Sequence, residues 1–101
     1  MSKLIPKLML ATLPNLYDTE TDDNPLCYIK LFTPDSDWTW YIMEFSKEDN
    51  DTCFGYVIGH EAELGYFSLS ELEGIKGNLG LAVERDNSFS PICLSEVKRG
   101  N

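Results

Sequence analysis

The segment from Trp38 to Phe45, WTWYIMEF, constrains the fold more than any other part of the chain. It is rich in aromatic residues and follows the turn signal TPDSD, so it is predicted to be a β-strand. Successive side chains of a strand point to opposite faces of the sheet. One face would carry Trp38, Trp40 and Ile42, and the other Tyr41, Met43 and Phe45. Because both sets are apolar, we predict that both faces are covered and that Trp40 is buried.

The sequence on either side of this strand predicts an antiparallel meander. Residues 26–32 (LCYIKLF) and 53–59 (CFGYVIG) are strand-like, and residues 64–69 (LGYFSL) add a short fourth strand. The polar stretches at residues 33–37 and 46–52, which separate the first three of these strands, are predicted to be turns. Gly55, inside a strand, indicates a bulge or a close backbone contact.

Short helices are predicted to cover the sheet. The candidates are residues 7–13, 68–77 and 91–99. In the second, Ser68 and Glu71 have the spacing of a capping box, and Gly74 or Gly77 would end the helix. The predicted fold class is therefore α+β, with a small antiparallel sheet of three to four strands covered by two to three short helices.

Composition predicts one domain spanning residues 1–101, since 43% hydrophobic content is enough for a single core. The three cysteines, Cys27, Cys53 and Cys93, form neither a C-x-x-C motif nor an even-numbered framework. We predict buried free thiols and, from them, a cytoplasmic location. Pro6 and Lys7 interrupt the apolar N-terminus, so we predict neither a signal peptide nor a membrane span.

Charge is concentrated in one part of the chain. The net charge is −9, and residues 18–51 hold ten acids and two bases, which gives that segment −8. Such a chain lacks the basic stripe needed to bind nucleic acid directly or to lie on an anionic membrane. A protein partner with a basic surface fits this charge, whereas the alternative is that the acids only keep the protein soluble.

Three pairs of aspartates in polar loops are the candidate partner-binding residues, because each pair should reach solvent between apolar runs. They are Asp22 and Asp23, Asp35 and Asp37, and Asp49 and Asp51. No catalytic, metal-binding or cofactor motif is specific enough to predict an enzyme. His60 is the only histidine, so GHEAELG cannot be a zinc H-E-x-x-H site, and it is expected in an exposed turn.

Three stretches together resemble a known family: FTPDSDWTWYIMEF, FGYVIGHEAELGYFSLSELEGIKG and GLAVERDNSFSP. They are similar to small single-domain proteins of bacterial plasmids and phages that are grouped as a domain of unknown function. The similarity runs from about Leu13 to Val97. Some members of that family inhibit the effector nuclease of type II CRISPR systems.

The resemblance implies a function that the charge also fits. Such a protein would act in the cytoplasm of a bacterial host as an anti-CRISPR inhibitor, binding the effector nuclease through its acidic surface. It would be a monomer with no catalytic activity. The alternative is a mobile-element accessory protein that binds another host or plasmid protein.

Overall fold

The computed structural model describes residues 4–100, within which seven strands and three short helices are found. In chain order they are α1 (Lys7–Ala11), β1 (Leu26–Cys27), β2 (Ile29–Phe32), β3 (Thr39–Phe45), β4 (Thr52–Ile58), β5 (Ala62–Ser68), α2 (Leu69–Glu73), β6 (Glu84–Arg85), β7 (Ile92–Cys93) and α3 (Leu94–Lys98). None of these helices is long and apolar enough to cross a membrane.

The strands form two antiparallel sheets. The larger has five strands in the order β5-β4-β3-β2-β6, and β1 pairs with β7 in a separate two-stranded sheet. The predicted α+β fold with a sheet of three to four strands is therefore wrong, because the protein is mostly sheet. The predicted meander is present as β2 to β5, but β6 and β7 have two residues each, too few to show an alternating pattern. The predicted strand 26–32 also divides at Tyr28 into strands of different sheets.

A register shift in β3 decides which side chains share a face. Ile42 pairs with Gly55 but Glu44 pairs with Phe54, so β3 carries one extra residue between these positions. Such a bulge reverses the alternation beyond it. Phe45 consequently packs with Trp40 and Ile42, not with Tyr41 and Met43 as predicted.

The two faces of the larger sheet can be named by β3. The back face carries Trp40, Ile42 and Phe45, and the front face carries Tyr41, Met43 and Glu44. Both are covered around β3, as predicted, and Trp40 is 4% exposed. The back face packs against Ile5, Leu13, Leu69, Leu72 and Val83. The front face packs against Cys27, Leu94 and Val97.

Two local predictions are confirmed. The side chain of Ser68 accepts a hydrogen bond from the Glu71 backbone N–H (3.3 Å), which caps α2, and Gly74 ends that helix. Gly55 lies against the backbone of β3, where an added Cβ would overlap the carbonyl oxygen of Tyr41. Close contact between these two strands therefore requires glycine at this position.

Candidate protein-binding groove

The candidate site begins with Glu44, a carboxylate that the sheet buries. Glu44 is 3% exposed and lies on the front face just after the bulge. It accepts hydrogen bonds from the backbone N–H groups of Tyr17 (2.8 Å) and Thr19 (2.9 Å), and from the Thr19 hydroxyl. Burial of a carboxylate is tolerated when several donors satisfy it, so these bonds fix the 17–19 loop to β3.

The fixed loop forms one wall of a groove of about 580 Å³ on the front face. Apolar side chains form its floor: Met43, Phe54, Leu64, Tyr66 and Leu94. Acidic side chains stand along the wall contributed by the loop: Glu20, Asp22 and Asp23. With Glu44 counted, the groove is lined by four acids and one base, Lys98, which gives a formal charge of −3.

Three of the aromatic rings that line the groove lie close together. The Tyr66 ring lies 4.9 Å from that of Phe54 and 6.5 Å from that of Tyr17, measured between centroids. Tyr66 is 56% exposed and Tyr17 is 62% exposed, so the cluster is a surface feature. Tyr17 adopts a left-handed backbone conformation (φ 72°), which is unfavourable for a bulky residue. The hydrogen bonds that Glu44 accepts hold the loop in this conformation and thereby place the Tyr17 ring beside Tyr66.

The charged residues that line the groove beside these rings are mostly acidic. The pKa of the Tyr66 hydroxyl is raised, first by partial desolvation and then by the neighbouring Tyr17 hydroxyl and the charges of Glu44 and Glu20. Negative potential beside exposed aromatic faces is the arrangement that attracts lysine and arginine side chains. The ammonium of Lys98 already lies 5.7 Å from the Tyr56 ring, close to the groove.

Asp22 and Asp23 are the only predicted pair that lines this groove. Both are exposed. The Asp22 carboxylate accepts one bond, from the backbone N–H of Asn24 (2.9 Å), whereas the Asp23 carboxylate has no hydrogen bond to any residue between 4 and 100. Both carboxylates are therefore open to a partner.

Asp35 and Asp37 lie in the β2–β3 turn and differ from each other. Asp35 is half-buried and accepts bonds from the backbone N–H groups of Leu79 (2.6 Å) and Leu81 (3.2 Å). Its carboxylate fills the space that a Cβ would need at Gly77, so it ties the 77–81 loop to the turn. The expectation that the Asp35 carboxylate is free in solvent is wrong. Asp37 is exposed.

Asp49 and Asp51 organise the β3–β4 turn. Asp49 accepts bonds from the backbone N–H groups of Asp51 (2.8 Å) and Thr52 (2.9 Å) and from the Thr52 hydroxyl (2.6 Å). The Thr52 hydroxyl is the first cause that lowers its pKa to about 2. Asp51 accepts bonds from the Ser68 hydroxyl (2.6 Å) and the Ser70 N–H (2.8 Å), which also lower its pKa, and it thereby joins the turn to α2.

The structure does not bring the three pairs into one surface. The turns that hold Asp35 and Asp49 lie at opposite ends of β3, roughly 20 Å apart for a seven-residue strand. Asp51 contacts α2 on the back face, whereas Asp22 and Asp23 line the groove on the front face.

The groove floor is the part of the site that sequence reasoning did not identify. In β5, Leu64 and Tyr66 share the front face, as period-two alternation requires, while Glu63 lies on the back. This alternation is visible in the sequence. It does not predict a groove, because the opposite wall of the groove comes from a loop with no regular pattern.

The groove is not lined by His60 or by any of the three cysteines. No group of three or more histidine, cysteine, aspartate and glutamate side chains among residues 4–100 is placed to hold a metal ion. His60 is exposed after Gly59, as predicted, with its ring 5.6 Å from that of Trp38. All three cysteines are free, although Cys93 is only partly buried, and burial raises the pKa of Cys27 and of Cys53 to about 12.

Comparison with known proteins identifies a family without assigning an activity. No curated protein and no solved structure matches the chain. A family model, described as a protein of unknown function (DUF2958), matches residues 3–97. That match covers nearly the whole chain, and the protein therefore belongs to the DUF2958 family.

Proposed function

We propose that this protein is a non-catalytic inhibitor that binds the effector nuclease of a type II CRISPR system through the acidic groove. The observation that supports the proposal most directly is the union of an acidic wall with an exposed aromatic floor in one groove. Glu20, Asp22 and Asp23 would pair with lysine or arginine side chains, and Tyr66 would stack on them. A flat acidic surface would offer the first interaction only.

The partner's electrostatics fit this groove. An effector nuclease holds the duplex of guide and target in a positively charged channel, where the protein contacts the nucleic-acid backbone. A protein of net charge −9 would be steered toward that surface and would compete there with nucleic acid. The expected complex is between one copy of this protein and the effector, in the cytoplasm of the bacterial host, with no direct contact to DNA or RNA.

The direct test is a cleavage assay with purified effector, guide RNA and target DNA, in which this protein is titrated. We expect inhibition, and we expect Tyr66→Ala to weaken it about tenfold, the usual size for truncating an aromatic anchor. Leu79→Ala is the matched control, because Leu79 is also a large, exposed apolar residue but lies outside the groove. It should inhibit as the wild type does.

Two results would contradict the proposal in different ways. Full cleavage at saturating wild-type protein would reject inhibition of this effector class. Inhibition that Tyr66→Ala leaves unchanged would keep the activity but move the contact away from the groove. If the wild type does not inhibit, a pull-down from host lysate tests the alternative of an accessory protein that binds another host or plasmid protein.

A further inference from the structure

Strand β5 (Ala62–Ser68) is an open edge of the five-stranded sheet. It pairs with β4 along its whole length, and no strand between residues 4 and 100 pairs with its other side. The opposite edge is different, because the two-residue β6 covers part of β2. Seven residues is a long exposed edge, and such an edge can accept an additional strand.

The backbone groups that face outward from this edge can be assigned. Bonds from Gly59 N–H to Glu61 C=O (2.9 Å) and from Leu69 N–H to Asp51 C=O (2.9 Å) bracket the β4–β5 ladder. In an antiparallel ladder, bonded and non-bonded pairs alternate. The Gly55–Gly65 pair is therefore bonded inward, whereas the N–H and C=O groups of Leu64 and Tyr66 point outward.

Gly65 leaves a notch on the back face of the edge. Its own packing does not require glycine, since an added Cβ would meet no atom within 4 Å, in contrast to Gly55. Its φ is not in the left-handed region either. Gly65 lines a hollow of about 320 Å³ together with Trp38, Val57, His60 and Glu63.

The two faces of the edge present different chemistry. On the front face Leu64 and Tyr66 are exposed and apolar; on the back face the hollow is bounded by Glu61 and Glu63. Residues 52–68 contain these two acids and no lysine or arginine. A strand added here would place alternate side chains on the two faces. Its front-facing side chains should be apolar, and its back-facing side chains should be lysine or arginine.

We infer that β5 binds an extended segment of the protein partner, with alternating apolar and basic side chains, as a sixth strand of the sheet. This inference rests on the proposed function only for the identity of the partner, and it adds the mode of binding. Backbone bonds to Leu64 and Tyr66 would give affinity. The apolar row would extend the groove floor, and a basic side chain in the notch would reach Glu63.

A second copy of this chain fits the same edge poorly. Two β5 strands paired with each other would bring together Glu61 and Glu63 of both copies, in a protein of net charge −9. Like charges at close range are destabilising. A basic segment of another protein meets no such repulsion, so it is the occupant that the charges favour.

The test uses a probe peptide that does not depend on any effector. It is a capped, fluorescently labelled peptide of about eight residues, alternating valine and lysine, to match the length of β5. We expect saturable binding below about 1 mM that weakens as salt rises, with slowed amide exchange at Leu64 and Tyr66. The same peptide with its edge-facing amides methylated should bind about tenfold less tightly or worse.

Matched variants test the edge from the protein side. Leu64→Pro removes an outward N–H, and Leu64→Ala removes the same apolar bulk but keeps that N–H. The proline variant should bind the peptide about tenfold less tightly than the alanine variant. Gly65→Val should keep the melting temperature at or above that of the wild type, since valine favours strands, and should still weaken binding by filling the notch. If Leu64→Pro does not fold, the methylated peptide makes the same test from the ligand side.

The outcomes separate this inference from the proposed function. No saturable binding of the valine–lysine peptide, or equal binding of its methylated form, would overturn the sixth-strand mode. Dimer formation through β5 in sedimentation measurements would also overturn it. If the peptide binds at β5 but this protein does not inhibit cleavage by the effector, the inference is supported and the proposed partner is rejected.

Discussion

Two acidic segments look alike in the sequence but have opposite roles in the structure. They are the loop with Asp22 and Asp23 and the turn with Asp49 and Asp51. Both are short, acidic and polar, and both lie in the segment of charge −8. The Asp49 and Asp51 carboxylates accept hydrogen bonds that build the turn and join it to α2. The Asp23 carboxylate accepts none from residues 4–100. Charge density alone therefore does not identify a binding surface, because local donors decide which carboxylates remain available.

Glu44 is more deeply buried in the fold than the aspartates of either segment. It lies in β3 between apolar neighbours, it is almost completely buried, and it accepts three hydrogen bonds from Tyr17 and Thr19. The acids of the 18–51 segment thus range from fully structural to fully exposed. Their removal should therefore cost stability to very different degrees.

Glu44→Ala should lose about 3 kcal/mol of unfolding free energy, since it leaves three donors of the 17–19 loop without their charged acceptor. It should also release Tyr17 from its left-handed conformation and so remove one wall of the groove. Chemical denaturation measures the first effect. Glu48→Ala is the control, an exposed acid in the following turn, and should stay within about 0.5 kcal/mol of the wild type. Equal midpoints for the two variants would show that Glu44 does not hold the loop.

Asp51→Ala should cost roughly 1–2 kcal/mol, the range for losing a side chain that caps a helix N-terminus. Asp51 and Ser68 each satisfy a backbone N–H in the first turn of α2, those of Ser70 and Glu71. Asp23→Ala should cost much less, because no bond within the described part of the chain is lost. Thermal unfolding of both variants checks this directly. If the two lose equal stability, the distinction between structural and available acids is wrong.

The sequence predicted the parts of the fold that local rules determine. The cap at Ser68 followed from spacing, and the strands around residues 39–45 and 52–58 followed from their aromatic and aliphatic content. The burial of Trp40 followed from apolar residues on both faces of its strand. The bulge after Ile42 did not, because one extra residue in a continuous apolar run leaves no mark on composition. It reversed the predicted face of Phe45 and brought Glu44 to the front face.

The candidate site was predictable only in part, for a related reason. Asp22 and Asp23 were identified as loop acids, but the groove beside them depends on β5 packing next to a loop some forty residues earlier. Long-range contacts also determine which aspartate carboxylates are occupied by hydrogen bonds within the fold. Asp35 reaches residues 79 and 81, and Asp51 reaches residues 68 and 70. No local sequence pattern predicts these hydrogen-bond donors.

Asp49 should give a small, pH-dependent contribution to stability. Its pKa in the folded protein is about 2, below the usual value of 3.8, chiefly because the Thr52 hydroxyl donates to it. A depressed pKa stabilises the fold above the unfolded-state value, and that stabilisation is lost as the pH falls through the folded-state value. The melting temperature of the wild type should therefore exceed that of Asp49→Ala near neutral pH. The difference should shrink as the pH falls from about 4 to about 2. A difference that stays constant over this range would contradict the role of the ionised carboxylate.

The double reversal Asp22→Lys with Asp23→Lys should have the smallest effect on folding and a large effect on binding. Only the bond from the Asn24 N–H to Asp22 is lost, so unfolding free energy should change by less than about 1 kcal/mol. Two positive charges would then face the basic surface of the partner. Association with the effector at low salt should slow about tenfold or more, because exposed charges act mainly on the rate of encounter. The loss should be smaller at high salt, where charges farther apart than a few ångströms are screened.

The matched variant for this experiment is Asp49→Lys with Asp51→Lys, which changes the net charge by the same amount in the other loop. Both variants carry four more positive charge units than the wild type, so any effect of overall charge on steering is common to them. The Asp49/Asp51 variant should melt at a lower temperature, since it loses the bonds from Thr52, Ser68 and Ser70. Compared well below both melting temperatures, it should still bind the effector more tightly than the Asp22/Asp23 variant. Equal loss of binding in the two would mean that net charge, and not the groove, attracts the partner. Unchanged binding in both would remove the acidic wall from the interface and leave the open edge at β5 as the remaining contact.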